Sequence, residues 1–340
     1  MATRTGRYGL GAPCRPLDWS VRMYRILSTT PMESVDGHVD ASYADRAAWS
    51  ENMGATILPI MVGDDRCGPF IVLSYVEPTD EQMPLSFAHA HPSDNWRISV
   101  RGTTNMGRDA YQQGQFRFHD GGVPYASDNF AWGPDGGYGI IMFADRRGFA
   151  IRPVKAEIAD RVTPQQEAAG ASLGIDMRDP CPGAPAIATT MGPTERAHLD
   201  GGFDRSGEWD EIAPGIRLAA GVAGDPTCGP VLVFLDCGAG VEAVPARSIG
   251  SETVVAPVAG SVDAAGVTLA QGVVRVEEAD AQHPALVAGP DGAQLVVIFA
   301  DRRALRSALD DGGLAGALGG ALSTVLADLQ SQLSLAGSPS

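Results

Sequence analysis

Basic residues are scarce in this chain. Lys+Arg number 25 against 41 Asp+Glu, a formal net charge of -16 over 340 residues. That balance repels polyanions, so neither nucleic acid nor an anionic membrane surface is expected as a partner. Long apolar runs are missing as well. No stretch approaches the ~20 apolar residues that cross a bilayer, and the opening M-A-T-R-T-G-R-Y-G-L-G lacks a signal-peptide core. The five cysteines, Cys14, Cys67, Cys181, Cys228 and Cys237, form no C-x-x-C pair. Reduced thiols in a cytoplasmic protein are therefore expected. Helical periodicity is nearly absent before the C-terminus.

What is present is said twice. His38–Glu51 (H-V-D-A-S-Y-A-D-R-A-A-W-S-E) returns as His198–Glu211 (H-L-D-G-G-F-D-R-S-G-E-W-D-E). Gly63–Pro69 (G-D-D-R-C-G-P) is echoed by Gly224–Pro230 (G-D-P-T-C-G-P). Gly133–Arg147 (G-P-D-G-G-Y-G-I-I-M-F-A-D-R-R) returns as Gly289–Arg303 (G-P-D-G-A-Q-L-V-V-I-F-A-D-R-R). Three blocks in one order at nearly constant offset mark a duplicated unit. The period is too long for a solenoid, so each copy is domain-sized.

Both copies are rich in short β-branched and aromatic runs bounded by Gly, Pro and Asp, such as Pro69–Val76, Tyr138–Phe143 and Leu295–Phe299. This pattern predicts an all-β sandwich or barrel in each copy. The chain divides into an N-terminal arm (1–30), a first barrel (31–154), a linker (155–192), a second barrel (193–305) and a tail (306–340). The linker is expected to hold a short helix near Pro164–Gly170. In the tail, Leu314, Leu318, Leu322, Leu326 and Leu329 are spaced for an amphipathic helix, docked on the barrels or at a homodimer interface.

One segment could carry chemistry. His89 and His91 are two apart, and on a strand such residues share a face, so both imidazoles can reach one divalent metal. Asn95–Arg101 follows, with Trp96, Ile98 and Val100 alternating with Asn95, Arg97, Ser99 and Arg101. If Asn95 faces the barrel interior, so does Arg97. A buried guanidinium needs a counter-charge. That is either a substrate carboxylate or phosphate or a protein acid such as Asp94, Asp109 or Asp128.

These residues resemble the cupin family. Its first motif, G-x5-H-x-H-x3,4-E-x6-G, is matched at His89, His91 and Gly102, with Asn95 at the glutamate position. Its second, G-x5-P-x-G-x2-H-x3-N, is matched at Gly114, Gly122 and Asn129, with Asp120 for proline and Tyr125 for the metal histidine. With the duplication, the chain resembles a bicupin: two tandem cupin jelly-roll barrels followed by a C-terminal helix.

The resemblance implies a metal site of His89, His91 and Asn95 for Fe, Mn, Ni, Zn or Co. Tyr125, Arg97 and His119 would be the catalytic groups, His119 doubling with Asp94 as a reserve ligand. It implies a dioxygenase, isomerase, lyase or cyclase, and Arg97 points to a small organic anion, a carboxylate above all, as the expected substrate. The alternatives are a metal-free cupin that binds a small molecule or works by acid–base chemistry, and a non-enzymatic binding or assembly protein. In the second copy Gly250, Glu252 and Thr253 are expected near the His89, His91 and Asn95 positions, with His283 at the second-motif histidine. That copy is expected to be structural. His38 and His198, and the two A-D-R-R segments, recur in both copies and are read as packing and salt-bridge features.

Overall fold

Alternation along each strand decides which side chains meet. The computed structural model describes residues 25–26, 32, 34–52, 55–63, 68–78, 87–106, 109–125, 136–172, 187–191, 198–225, 228–305 and 327. Most of the N-terminal arm, Cys14, Cys67, Cys181, Asp128, Asn129 and all five leucines of the expected tail helix lie outside the described residues.

The first repeat contains β1 (His38–Ser42), β2 (Ala55–Met61), β3 (Phe70–Val76), β4 (His89–Ala90), β5 (Asn95–Gly102), β6 (Gln115–His119), β7 (Gly137–Phe143) and β8 (Arg152–Pro153). The linker carries α1 (Ala156–Ser172). The second repeat contains β9 (His198–Gly202), β10 (Ile216–Val222), β11 (Val231–Cys237), β12 (Thr253–Ala264), β13 (Val273–Glu277) and β14 (Leu286–Phe299). Shorter strands join at the edges.

Two large antiparallel sheets result, beside two-stranded pairs that include β4 with β8. The eight-stranded sheet runs Arg25–Ile26, β2, β3, β7, β5, β6, β9. The ten-stranded sheet runs Ala188–Thr189, β10, β11, β14, β12, β13, β1. The strand orders are the same, so the duplicated blocks land on equivalent strands. The last strand of each sheet is exchanged: β9 of the second repeat closes the first sheet, and β1 of the first closes the second. His198 stands opposite His119 and Asp200 opposite Arg117. In the other sheet His38 stands opposite Glu277 and Asp40 opposite Arg275. Arg117–Asp200 and Arg275–Asp40 pair at 2.7 Å, one bridge per exchanged strand. This is the shared role of the His38 and His198 blocks.

The faces of the two sheets have different fates. Trp96, Ile98, Phe116 and Phe118 from the first sheet join Phe234, Val254, Val276 and Ile298 from the second in one buried core. Phe116 and Phe234 stack at 4.3 Å between ring centroids. The sheets are therefore packed against each other across an apolar layer that both repeats build. Gly221 makes room there, because a Cβ would come within 2.6 Å of the Phe118 ring.

The opposite faces line the interiors of the two units. In the second unit this face is filled by a large apolar cluster that includes Leu218, Val233, Leu235, Val255, Val297 and Phe299. In the first, the buried cluster among the described residues comprises Met61, Phe70, Val72 and Phe143, with Ile57, Ile141 and Phe149 partly buried beside it. Among the described residues the second interior is the more solidly filled, and the first keeps a hollow.

The linker helix is longer than the segment expected at 164–170. It begins eight residues earlier and runs through Pro164, which lacks an N–H and forfeits one helix bond. The A-D-R-R segments are the anticipated corners. Asp145 accepts from Arg147, and Asp301 accepts from Arg303. The other arginine of the second pair, Arg302, is fully buried and donates to the carbonyls of Ala223 and Gly229.

Candidate functional site

The hollow of the first unit is a cavity of about 150 Å³. Phe70, Val72, Ile141, Phe143 and Phe149 supply apolar walls, and His89, His91, Arg97 and Tyr125 supply polar ones. Arg97 arrives there by strand alternation. Its neighbours Trp96 and Ile98 lie in the inter-sheet core, so residue 97 projects into the interior.

Backbone carbonyls fix the state of both imidazoles. His89 Nδ1 lies 2.9 Å from the Phe87 carbonyl, and His91 Nδ1 lies 2.8 Å from the Gly148 carbonyl. A carbonyl only accepts, so both Nδ1 atoms carry the proton and, in the neutral rings, both Nε2 atoms are acceptors. Tyr125 donates to His89 Nε2 at 3.0 Å. Burial, reinforced by Arg97, pushes the His89 pKa down to about 4 and that of His91 well below the histidine range. Both rings are neutral at pH 7.

Tyr125 is the junction of the site. A backbone bridge ties it to His89, with amide-to-carbonyl distances of 3.0 and 2.9 Å. Arg97 donates to its hydroxyl and lies over its ring at 4.6 Å. Burial raises the phenol pKa while Arg97 lowers it. His119 packs against the same ring at 5.0 Å, its pKa held at about 3 by burial and then by Arg97 and Arg117.

Arg97 meets no carboxylate among the described residues. Its partners are Tyr125 and Asn95 Oδ1, at 3.3 Å from Nε. Of the acids considered from the sequence, Asp94 accepts from the amides of Gly121 and Gly224. Asp109 pairs with Arg117, and Asp128 lies outside the described residues.

Two of the three residues expected to hold a metal line the cavity. His89 and His91 are held as metal-binding imidazoles usually are, with Nδ1 on a carbonyl. Asn95 does not join them, because its oxygen accepts from Arg97 and it does not line the cavity. His119 also stands outside the lining. Among the described residues no group of three or more His, Cys, Asp or Glu is placed to hold a metal ion. Among the described residues a divalent cation at His89 and His91 would lie near the Arg97 guanidinium with no carboxylate ligand, so these residues by themselves do not fit one.

The second repeat shows what a filled site looks like. The bridge between His89 and Tyr125 recurs between Arg247 and His283, so His283 does occupy the Tyr125 position. Register places Thr253 at Asn95, Val255 at Arg97 and Glu277 at His119. Arg247 and Ile249, not Gly250 and Glu252, stand at the His89 and His91 positions. Glu252 matches Asp94 instead. Each accepts from a glycine amide of the opposite repeat, Gly63 at 3.1 Å and Gly224 at 3.0 Å. Arg247 and Glu277 form a buried ion pair. Its cation has a partner; Arg97 has none of that kind.

Sequence reasoning missed three polar residues lining the cavity, Ser74, Thr104 and Gln166. Ser74 donates to the Gly139 carbonyl. None lies in a motif, and Gln166 belongs to a linker helix whose docking is not written in its local sequence.

No family model matches the chain, and no curated protein matches it. Solved structures with similar strand arrangements include oxalate decarboxylase from Bacillus subtilis, at 14% identity, a TM-score of 0.43, and coverage of 77% of this chain and 76% of that one. A second structure of that enzyme, concerned with its Mn(II) centres, has 14% identity, a TM-score of 0.42, and 77% coverage of each chain. Protein Ylba from E. coli is similar at 8% identity and a TM-score of 0.44, over 80% of this chain and 94% of that one. The chain's own repeat, shared strand order and exchanged strands give it a duplicated all-β fold of packed antiparallel sheets, which fits a pair of jelly rolls.

Proposed function

We propose that the first unit binds a small organic anion and performs acid–base chemistry on it, without a resident metal. The observation that carries this reading is Arg97, a guanidinium in a mostly apolar cavity with no carboxylate partner among the described residues. A ligand carboxylate satisfies it bidentately. A cavity of about 150 Å³ suits a ligand with a body near the size of benzene.

The imidazoles supply the proton chemistry. With Nδ1 protonated, His91 offers Nε2 as a base, and Tyr125 holds a proton it already shares with His89. Arg97 depresses the basicity of both rings. A bound anion opposes that effect and raises their proton affinity. The substrate's charge thus switches on the base that acts on it. Of the reaction types the cupin resemblance implies, isomerisation and elimination need only such proton transfers.

A thermal-shift screen of small carboxylates against wild type and Arg97→Ala tests the reading. Carboxylates should raise the melting temperature of wild type and leave the variant unchanged. Equal stabilisation of both proteins, or of neither, overturns it. A second reading, a metal-dependent enzyme, draws on the two pre-oriented imidazoles alone. It requires further ligands from the substrate or from residues outside the described set.

A further inference from the structure

The linker helix brings a second recognition group to the cavity. Along α1, Val162, Gln166 and Gly170 are buried at four-residue spacing while residues 163–165 are exposed. These three positions form one stripe facing the protein. A glutamine between a valine and a glycine on that stripe is the wrong residue for packing alone. It lines the same cavity as Arg97 and is only 7% exposed. Its side-chain carbonyl is buried and has no hydrogen-bond donor among the described residues. Thr104, on the same lining, has a buried hydroxyl that is likewise unpartnered. A buried carbonyl left without a donor is costly and rare in native proteins. Both orphan groups belong to residues that line one cavity, where a ligand supplies what the protein does not.

We infer that Gln166 is a specificity residue whose carbonyl accepts a hydrogen bond from the ligand, with Thr104 as a second polar contact. The inference rests on the anion-binding reading and narrows its ligand class. The ligand is a small organic acid with an apolar body, carrying a hydroxyl or amino donor as well as its carboxylate. Arg97 takes the acid group and Gln166 takes the donor.

The position of α1 supports this assignment. It follows directly on β8, which pairs with the histidine strand β4 through Pro153 opposite His89 and Arg152 opposite Ala90. The amide of Val154 also donates to the Ala88 carbonyl at 2.9 Å. The helix is thereby tethered beside the imidazoles.

Isothermal titration calorimetry with paired probes tests the assignment. One pair is 4-hydroxybenzoate and 4-methylbenzoate; the other, without a carboxylate, is phenol and toluene. Wild type should prefer the hydroxyl member of each pair by about tenfold or more, and Gln166→Leu should abolish both preferences. Gln166→Glu keeps an acceptor oxygen, so it should retain the phenol preference and covers the case in which the leucine variant does not fold. Arg97→Ala should weaken both benzoates alike and spare phenol. Equal binding within the pairs by wild type, or a preference that survives Gln166→Leu, overturns the role of Gln166. Phenol binding with that preference but no benzoate binding overturns the anion reading and leaves Gln166 standing. Failure of all four probes to bind overturns both.

Discussion

Arg117 of the first repeat grips Asp200 of the second through two hydrogen bonds, Nε to Oδ1 at 2.7 Å and Nη2 to Oδ2 at 2.8 Å. The pair lies across adjacent strands, β6 and the exchanged β9, and Arg275 repeats it with Asp40 on the exchanged β1. Each repeat is thus completed by a strand of the other, and the two should unfold together.

Breaking that grip should weaken the whole chain. Asp200→Asn leaves the largely buried Arg117 guanidinium with Asp109 as its remaining acidic partner. A loss of about 1–3 kcal/mol is expected from the charged hydrogen bonds removed. Urea denaturation should show one transition moved to lower urea for both repeats. A separate early transition confined to one repeat would refute the coupled design.

The hollow and the solid unit should answer the same truncation differently. Ile141 and Val297 hold equivalent places, opposite Arg97 and Val255. Val297→Ala removes packing from a filled interior and should cost about 1–3 kcal/mol. Ile141→Ala enlarges an existing cavity and should cost less, while changing which probe molecules bind. Equal losses in chemical denaturation would mean that the first interior is as tightly packed as the second.

Acid should destabilise the protein before most carboxylates titrate. The folded pKa of His89 is about 4 and that of His119 about 3, both lowered from 6.5 mainly by burial. The unfolded chain therefore takes up these protons first. Their contribution is complete above pH 6.5 and is lost as pH falls towards 4, roughly 3 kcal/mol for His89 alone. Unfolding free energy measured between pH 7.5 and 4.5 should fall in wild type and fall less in His89→Gln. Parallel curves would show that the ring is not held neutral.

Metal chemistry gives a direct check. Protein purified without chelators should contain no stoichiometric Fe, Mn, Ni, Zn or Co, and chelator treatment should leave melting and ligand binding unchanged. One equivalent of metal in wild type, absent from His89→Ala and kept in His283→Ala, would establish the two-histidine metal site instead.

The cupin motif places His89, His91 and Tyr125 by spacing within one repeat, and the structure brings all three to one cavity. Arg97 followed from alternation, because a strand's period of two is local. Glu252 is where spacing and fold part. Spacing along the chain puts it against His91, yet the register makes it the counterpart of Asp94, since each acid caps a glycine amide across the repeat boundary. Nothing local announces such a contact.

Local sequence is enough to establish a duplicated all-β protein, the apolar faces of its strands, and the copy that holds the paired histidines. These are matters of repetition and period, carried by neighbouring residues. Tertiary structure alone decided that β1 and β9 change places, that the first interior keeps a cavity, and that Asn95 accepts a hydrogen bond from Arg97. It also decided that Gln166 reaches the cavity. Each of these depends on which distant side chains arrive at one point. Arg247 finds Glu277 thirty residues away, whereas Arg97 meets no carboxylate among the described residues, and only the packed chain tells the two arginines apart.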